Sequence, residues 1–489
     1  MKTSIAQIYE EIMNYYIKKV QQMINEKEIE ETMNINKIVE RLREISNEMN
    51  LMTIKLLYEH IDEKIAVDKE NRKKYGLLVH KKGVKRRIST EFGELEYKRT
   101  YYKKGDAYEY PVDILAGIEE RERIEKGFCA ELVTRATEES YEKTTKEYGN
   151  MVSKQTVMNK VRDLKSVESR AKKVEEGKTP KEVHIFADED HVTFRGGKKG
   201  IVKFAVLSEG REKIYENRNK LISPVYFATV TGENGVFWEE VLGYISKKYD
   251  VEKIESIVLH ADGGQWIKKA ESIIPKLKVC LDEFHISKYI NKLPRSKEYI
   301  ETKNIIISSI KENKKDVFRE AIDKLEQILE SKNEKLLLKN TKKAEKYISN
   351  NWYSIINRYT GEVIGSCTEA MTEHVCSSRI SFNGCAWSRY NLEKLIKERV
   401  YILNNEKIEP TDIDKEKCTV TKNENGKKVI KAYHKKEKSI YLQYFENQME
   451  LKNESQLDFS IFEDRKPFSF HGSIKNIFSA LGHKYECLN

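Results

Sequence analysis

The stretch from 183 to 290 restricts the fold more than any other part of this chain. It opens with short apolar runs that follow one another closely: His184–Asp188, His191–Arg195 and Val202–Leu207, with Gly196 and Gly197 before the third, then Tyr226–Val230. After that the rhythm alternates. A helical stretch, Trp238–Tyr249, leads to a buried-type run, Ile257–His260, then a helix over Trp266–Ile273, a short run Val279–Leu281, and a helix from Asp282 onward. Runs bounded by turn residues read as strands, and strands that alternate with helices imply parallel pairing through crossovers. Antiparallel strands followed by parallel ones predict a mixed α/β sheet.

That order is the order of an α/β ribonuclease H-like catalytic domain, and the flanking segments arrange themselves around it. Residues 1–70 form a helical arm: Ile5, Ile8, Ile12 and Tyr15 make one apolar stripe, and Ile35, Ile38, Leu42, Ile45 and Met49 make another. Residues 71–118 read as a basic β-hairpin region, because Ile88, Phe92, Leu95, Tyr97, Thr100 and Tyr102 suit strands and Gly93 and Gly105 suit turns. Residues 119–171 fit a helix-turn-helix, with helices over Phe128–Thr137 and Tyr141–Tyr148, a turn at Gly149-Asn150, and a third helix capped by Ser153. An ordinary helical hairpin satisfies the same pattern. A linker is expected at Lys172–Glu182. The core then occupies 183–290, a Lys/Glu-rich helical insertion 291–355, and a return to the core 356–400, while residues 401–489 suggest no task.

Charge points to a partner. Between Asn71 and Lys104 there are 12 Lys/Arg against 3 Glu, in a chain whose net charge is +10. Such a local excess is the footprint of a polyanion-binding surface or of a solvated loop. Lys85, Arg86 and Arg87 are its centre. On the helix after Ser153, Val157, Val161 and Leu164 make a buried face and leave Lys154, Gln155, Thr156, Asn159 and Lys160 outward, types that meet phosphates and base edges. The seven cysteines contain no C-x-x-C pair and read as free thiols. No apolar run approaches the ~20 residues of a membrane span, so a cytoplasmic protein is expected.

Two aspartates end strand-like runs: Asp188 in Phe-Ala-Asp-Glu-Asp-His, and Asp262 in Leu-His-Ala-Asp-Gly-Gly. Either alone fits a turn or cap residue. Together they fit a site for hard divalent cations, which take carboxylate oxygens. Asp190 lies two residues beyond Asp188, on the same face of an extended strand.

At these residues the chain resembles the ISLre-type insertion-sequence transposases, relatives of the Mutator-like DDE enzymes. The resemblance runs from about residue 85 to 390. It is carried by Ala187-Asp188-Glu189-Asp190-His191-Val192, His260-Ala261-Asp262-Gly263 with Trp266-Ile267, Leu281-Asp282-Glu283-Phe284-His285 with Lys288, and Glu369 with Glu373-His374-Val375, Ser377-Ser378-Arg379 and Trp387-Ser388; the Ser153–Val157 helix also resembles that family's DNA-binding helix. The resemblance implies that Asp188, Asp262 and Glu369 are the DDE carboxylates and metal ligands, with Asp282 and His285 as a supporting Asp-x-x-His element. It implies Mg²⁺, or Mn²⁺, as cofactor. The partners it implies are double-stranded DNA, both terminal inverted repeats and target, and further copies of the chain on that DNA. A ribonuclease H-like nuclease without strand transfer, and an inactive DNA-binding relative, are the alternatives. The chain departs from the family at Ala386, where glycine is usual, and at Met371, where histidine is usual.

Overall fold

The computed structural model describes residues 5–25, 34–164, 179–215, 218–230, 234–359, 368–381, 384–405, 407–413, 417–422 and 428–433. Most of the expected linker lies outside them. The described residues form two compact units, those within 1–87, 95–122 and 416–433 in one, and those within 88–94 and 123–415 in the other. Among the described residues no helix is long and apolar enough to cross a membrane.

In the first unit the helices Ile5–Asn25 and Ile35–Val67 lie against each other. Asn34 caps the second by accepting from Asn36 N–H, and at 33 residues that helix is about 50 Å long. Tyr15 and Lys19 both reach Glu48, at 2.6 and 2.8 Å. The basic region is a meander of three strands, β1 (Leu77–Thr90), β2 (Gly93–Lys104) and β3 (Ala107–Glu109). Buried Asp62 ties the long helix to β2 by accepting from the Thr100 N–H and hydroxyl, at 2.8 and 2.6 Å.

The second unit is built on one mixed sheet. Its strands are β4 (Glu182–Phe194), β5 (Lys199–Ser208), β8 (Val225–Val230), β9 (Ser256–Ala261) and β10 (Leu277–Leu281), in the order β10-β9-β4-β5-β8; a small hairpin, β6 (Arg211–Tyr215) and β7 (Arg218–Leu221), lies off it. β5 is antiparallel to both β4 and β8, while β9 is parallel to β4 and to β10. The expected change from antiparallel to parallel pairing is therefore present. β4 differs from expectation: the two short strands foreseen at 184–188 and 191–195 are one strand of 13 residues. The acidic run does not end it, because β5 pairs with it without interruption from His184 to Thr193.

Apolar residues fill both faces of this sheet. Val183, Ile185 and Ala187 pack with the helices Asn234–Lys248 and Gln265–Glu271, whereas Phe186 and Val192 pack with the helices Lys126–Glu138, Lys154–Asp163 and Arg389–Asn405. The insertion is four helices with their own core, Ile300–Lys311, Lys315–Ser331, Lys335–Asn350 and Trp352–Tyr359.

Candidate active site

The site lies where β9 stops and β4 continues. The last β4–β9 pair is Phe186 with His260, whose rings stack at 4.7 Å. Two residues further along come Asp188, still on β4, and Asp262, just past the end of β9. Alternation of side chains puts Phe186, Asp188 and Asp190 on one face of β4. Below them His260 is shut off from water, and that burial first, with the repulsion of His184 next, drops its pKa to about 3. The floor is therefore neutral.

Past the end of β9, the edge of β4 is covered by the helix Thr368–Thr372 and the π-helical turn Glu373–Ser377, then by a two-residue strand, β11 (Ala386–Trp387), parallel to Thr193 and Phe194. Thr372 donates its hydroxyl to Asp188 at 2.9 Å, and Ser377 donates to Asp190 at 3.3 Å. Both aspartates of the acidic run thus face the segment that carries Glu369. Glu369 itself stands one turn before Thr372 on that helix, and its side chain lies outside the described residues. Glu373 is exposed. Met371 packs against the apolar core, so the position where the resembling family has histidine serves packing.

Burial pushes the Asp188 carboxyl above the usual aspartate range; the Glu189 N–H and the Thr372 hydroxyl oppose this, repulsion from Asp262 adds to it, and nearby His285 opposes it. Glu189 is raised as well, by burial and then by Asp262. These acids crowd one another, and a hard cation bound by oxygen relieves that kind of repulsion. The donor set thus fits a divalent ion at Asp188 and Asp262. Among the described residues no group of three His, Cys, Asp or Glu is gathered closely enough to hold one.

The Asp262 loop is fixed from three sides. Gly264 N–H donates to the Asp262 carboxylate at 2.8 Å, Tyr347 donates its hydroxyl to the Asp262 carbonyl at 2.9 Å, and Asp282 N–H donates to Ala261 O at 2.9 Å. Gly263 has φ +85°, and a Cβ there would stand 2.9 Å from Asn351 Oδ1. Both facts require glycine. Asp282 caps the helix Glu283–Ile290 by accepting from Phe284 N–H at 3.0 Å, and among the described residues the Nδ1 of His285 has no hydrogen-bond partner.

Two buried arginines hold the third-acid segment in place. Arg399 donates to the carbonyls of Val375 (2.7 Å), His374 (2.5 Å) and Thr137 (2.6 Å), and to the Ser378 hydroxyl (3.1 Å). Arg379 donates to Ala136 O at 2.9 Å and lies over the rings of Tyr141 and Trp387. Both therefore join the π turn and its sequel to the last turn of the helix Lys126–Glu138. Of Thr372, Arg379 and Arg399, the sequence singles out only Arg379, in the run Ser377-Ser378-Arg379.

The profile of UPF0236, described as an uncharacterised protein family, matches residues 28–417. The chain belongs to the UPF0236 family. Its relatives include UPF0236 protein TTE2489 of Caldanaerobacter subterraneus subsp. tengcongensis, 35% identical over 390 residues that cover 79% of this chain and 82% of the relative. Two others from the same organism, also 35% identical over 79% of this chain and 81% of their own length, have names that join four and eleven locus labels.

The candidate DNA contacts of this UPF0236 chain fall in different surroundings. Ser153 caps its helix by accepting from Thr156 N–H at 3.1 Å; Lys154, Gln155 and Asn159 are exposed, while Thr156 and Lys160 are half-buried. In the meander, Lys85 and Arg87 share Glu96, at 2.8 and 2.6 Å, and bring its pKa down to about 2. Arg86 donates to the backbone carbonyls of Glu119 and Glu122. The centre of the basic run is thus partly spent on the protein itself.

Proposed function

We propose that this chain is a DDE-type DNA transposase, cutting DNA and joining strands at the ends of an insertion sequence through a metal-dependent ribonuclease H-like domain. The observation that carries the reading is the meeting of Asp188, midway along β4, with Asp262, just past the end of the adjacent parallel strand β9, beneath the helix that bears Glu369. The order β10-β9-β4-β5-β8, with only β5 reversed, supports the fold assignment. A name that joins eleven loci of one genome is what repeated copying of a single gene leaves behind, and it supports a mobile origin.

In this reading Asp188, Asp262 and Glu369 hold Mg²⁺ or Mn²⁺, which supplies activation of the attacking oxygen and neutralisation of the leaving one. The chain's own groups prepare that site. Thr372 and Glu189 N–H orient Asp188; Gly264 N–H and the glycine at 263 fix Asp262; neutral His260 and Phe186 keep water from beneath. The outward face of the helix after Ser153 is the proposed reader of DNA. Exposed Tyr9, Met13 and Ile17, at four-residue steps, support pairing of two copies through the helical arm.

The test is incubation of the purified chain with Mg²⁺ and labelled DNA carrying the element's end, scoring both cut and joined products. Cutting and joining that vanish in Asp188→Asn and Asp262→Asn, with DNA binding retained, are expected. Cutting that survives both substitutions sinks the reading; cutting without joining reduces it to a nuclease.

A further inference from the structure

The helix Lys335–Asn350 carries five lysines, 335, 339, 342, 343 and 346, at three- and four-residue steps on one exposed face. Thr341, Ala344 and Ile348 make the opposite, buried face. Leu338 is the apolar member of the lysine face, whose stems leave shallow, open space between them. Like charges at such spacings destabilise a helix by roughly 0.2–0.5 kcal/mol a pair. Elsewhere the chain relieves this: Lys143 pairs with Glu139, Lys146 with Glu142, and Arg389 with Glu393. Here, among the described residues, only Lys342 meets acids, Glu330 at 3.3 Å and Glu326 at 3.8 Å.

The face continues toward the candidate site. Tyr347, next to Lys346, donates to the Asp262 carbonyl and stacks on Tyr289 at 3.6 Å; Lys292 sits over the Tyr289 ring at 3.7 Å. Burial, then repulsion from Lys343 and Lys288, lowers the Lys292 pKa, so positive charge accumulates where the two helices meet. From Lys335 to Lys346 the helix rises about 16 Å, the axial rise of about five nucleotides of one strand.

We propose that the lysine face of Lys335–Asn350, extended by Lys288 and Lys292, is a second DNA-binding surface that takes the phosphate backbone of duplex DNA leading to Asp262. It rests on the DNA-cutting reading above and adds a surface separate from the helix after Ser153 and from the basic meander. Charge complementarity selects the occupant: a regular row of ammonium groups, Lys342 alone of them meeting acids among the described residues, matches a regular row of phosphates and displaces their counterions.

The experiment is fluorescence anisotropy of the full chain on a random-sequence duplex of about 40 bp, repeated across a KCl series, where each neutralised phosphate contributes about 0.9 to the log–log slope. The variants are Lys339→Gln with Lys343→Gln and Lys346→Gln, and the same three positions changed to Arg. The Gln variant is expected to bind at least ~10-fold more weakly in low salt, with a slope shallower by about 2 to 3, and the Arg variant to restore both. A Gln variant with the wild-type slope overturns the lysine surface, as does an Arg variant as weak as the Gln variant. A wild-type chain that binds no duplex overturns the surface together with the DNA-cutting reading. A wild type that binds and cuts, beside a Gln variant of unchanged slope, removes the surface alone.

Discussion

The two aspartates Asp188 and Asp262 and the helical segment that carries Glu369 meet along β4, but they are held by different means. Asp188 and Asp262 are placed by backbone: β4 and β9 pair in parallel from Glu182 to Phe186, and β5 clamps β4 from the other side along ten residue pairs. The segment with Glu369 has no such ladder. It rests against β4 through Thr372 and Ser377, and its π turn is secured by Arg399 and Arg379. A π turn leaves carbonyls without their usual helical donors, and such turns recur at functional sites. The sheet thus makes a rigid half, whereas side chains from distant helices make the other. Because the same arginines bind Ala136 O and Thr137 O, displacement of the helix Lys126–Glu138 would be felt by the third acid before the other two.

Removing an acid from either half is expected to have the largest effect. Asp188→Asn, Asp262→Asn and Glu369→Gln should each lower Mg²⁺-dependent cleavage by at least ~10³-fold while DNA binding stays near wild type, since the amide keeps shape and loses the charge that holds a cation. Glu373→Gln should be milder, because that side chain is exposed and lies on the π turn. Parallel cleavage and binding measurements decide it. Normal cutting by Glu369→Gln with loss in Glu373→Gln would move the third acid by one turn and leave the comparison standing.

Arg399→Met attacks the side-chain-held half alone. It strips donors from three carbonyls, each worth about 1–3 kcal/mol when left buried and unpaired, so urea unfolding should show a loss of about 3 kcal/mol or more. Arg399→Lys should recover part of that. An unfolding midpoint unchanged in Arg399→Met would mean that the π turn is held by packing and not by this guanidinium.

Thr372→Val acts where the two halves touch. The hydroxyl favours the charged form of Asp188, so its loss should raise the Asp188 pKa and move the acid limb of the pH–rate profile to higher pH. Cleavage near neutrality should fall by a few-fold, on the scale of one hydrogen bond of about 1 kcal/mol. A profile that stays in place would show that the Thr372 bond does not set the protonation of Asp188.

The sequence disclosed the backbone-held half well and the other half poorly, for physical reasons. The strand leading into Asp188, the strand end before Asp262 and the cap at Ser153 follow from local patterns: apolar period, an Asp-Gly-Gly turn, a hydroxyl before a helix. The continuity of β4 did not, because Asp-Glu-Asp resembles the end of a strand until one knows that β5 pairs with it throughout. The hairpin Arg211–Leu221 escaped because Glu212–Tyr215 are all exposed and show no apolar alternation. The acceptors of Arg399 lie 21 to 262 residues away in the chain. No local period encodes such a contact. Likewise, the charge count at 71–104 could not reveal that Glu96 absorbs Lys85 and Arg87.

The smallest expected effect concerns Glu398, one residue before Arg399 and on the same helix. It is almost wholly buried, neither carboxyl oxygen has a hydrogen-bond partner among the described residues, and burial raises its pKa well above the ordinary glutamate value, with Lys394 opposing. The folded chain therefore keeps a proton on Glu398 at pH values where the unfolded chain has released it. Stability falls with rising pH wherever the folded state holds more protons, so this residue contributes a downward slope that begins near the ordinary glutamate pKa and ends at the raised one. Glu398→Gln mimics the protonated form and removes that slope. Urea midpoints of the two proteins should agree at acidic pH and separate toward alkaline pH, with the variant the more stable. Parallel midpoint-against-pH curves would show that Glu398 does not carry a shifted proton, and the helix that supplies Arg399 would then bury a charged acid.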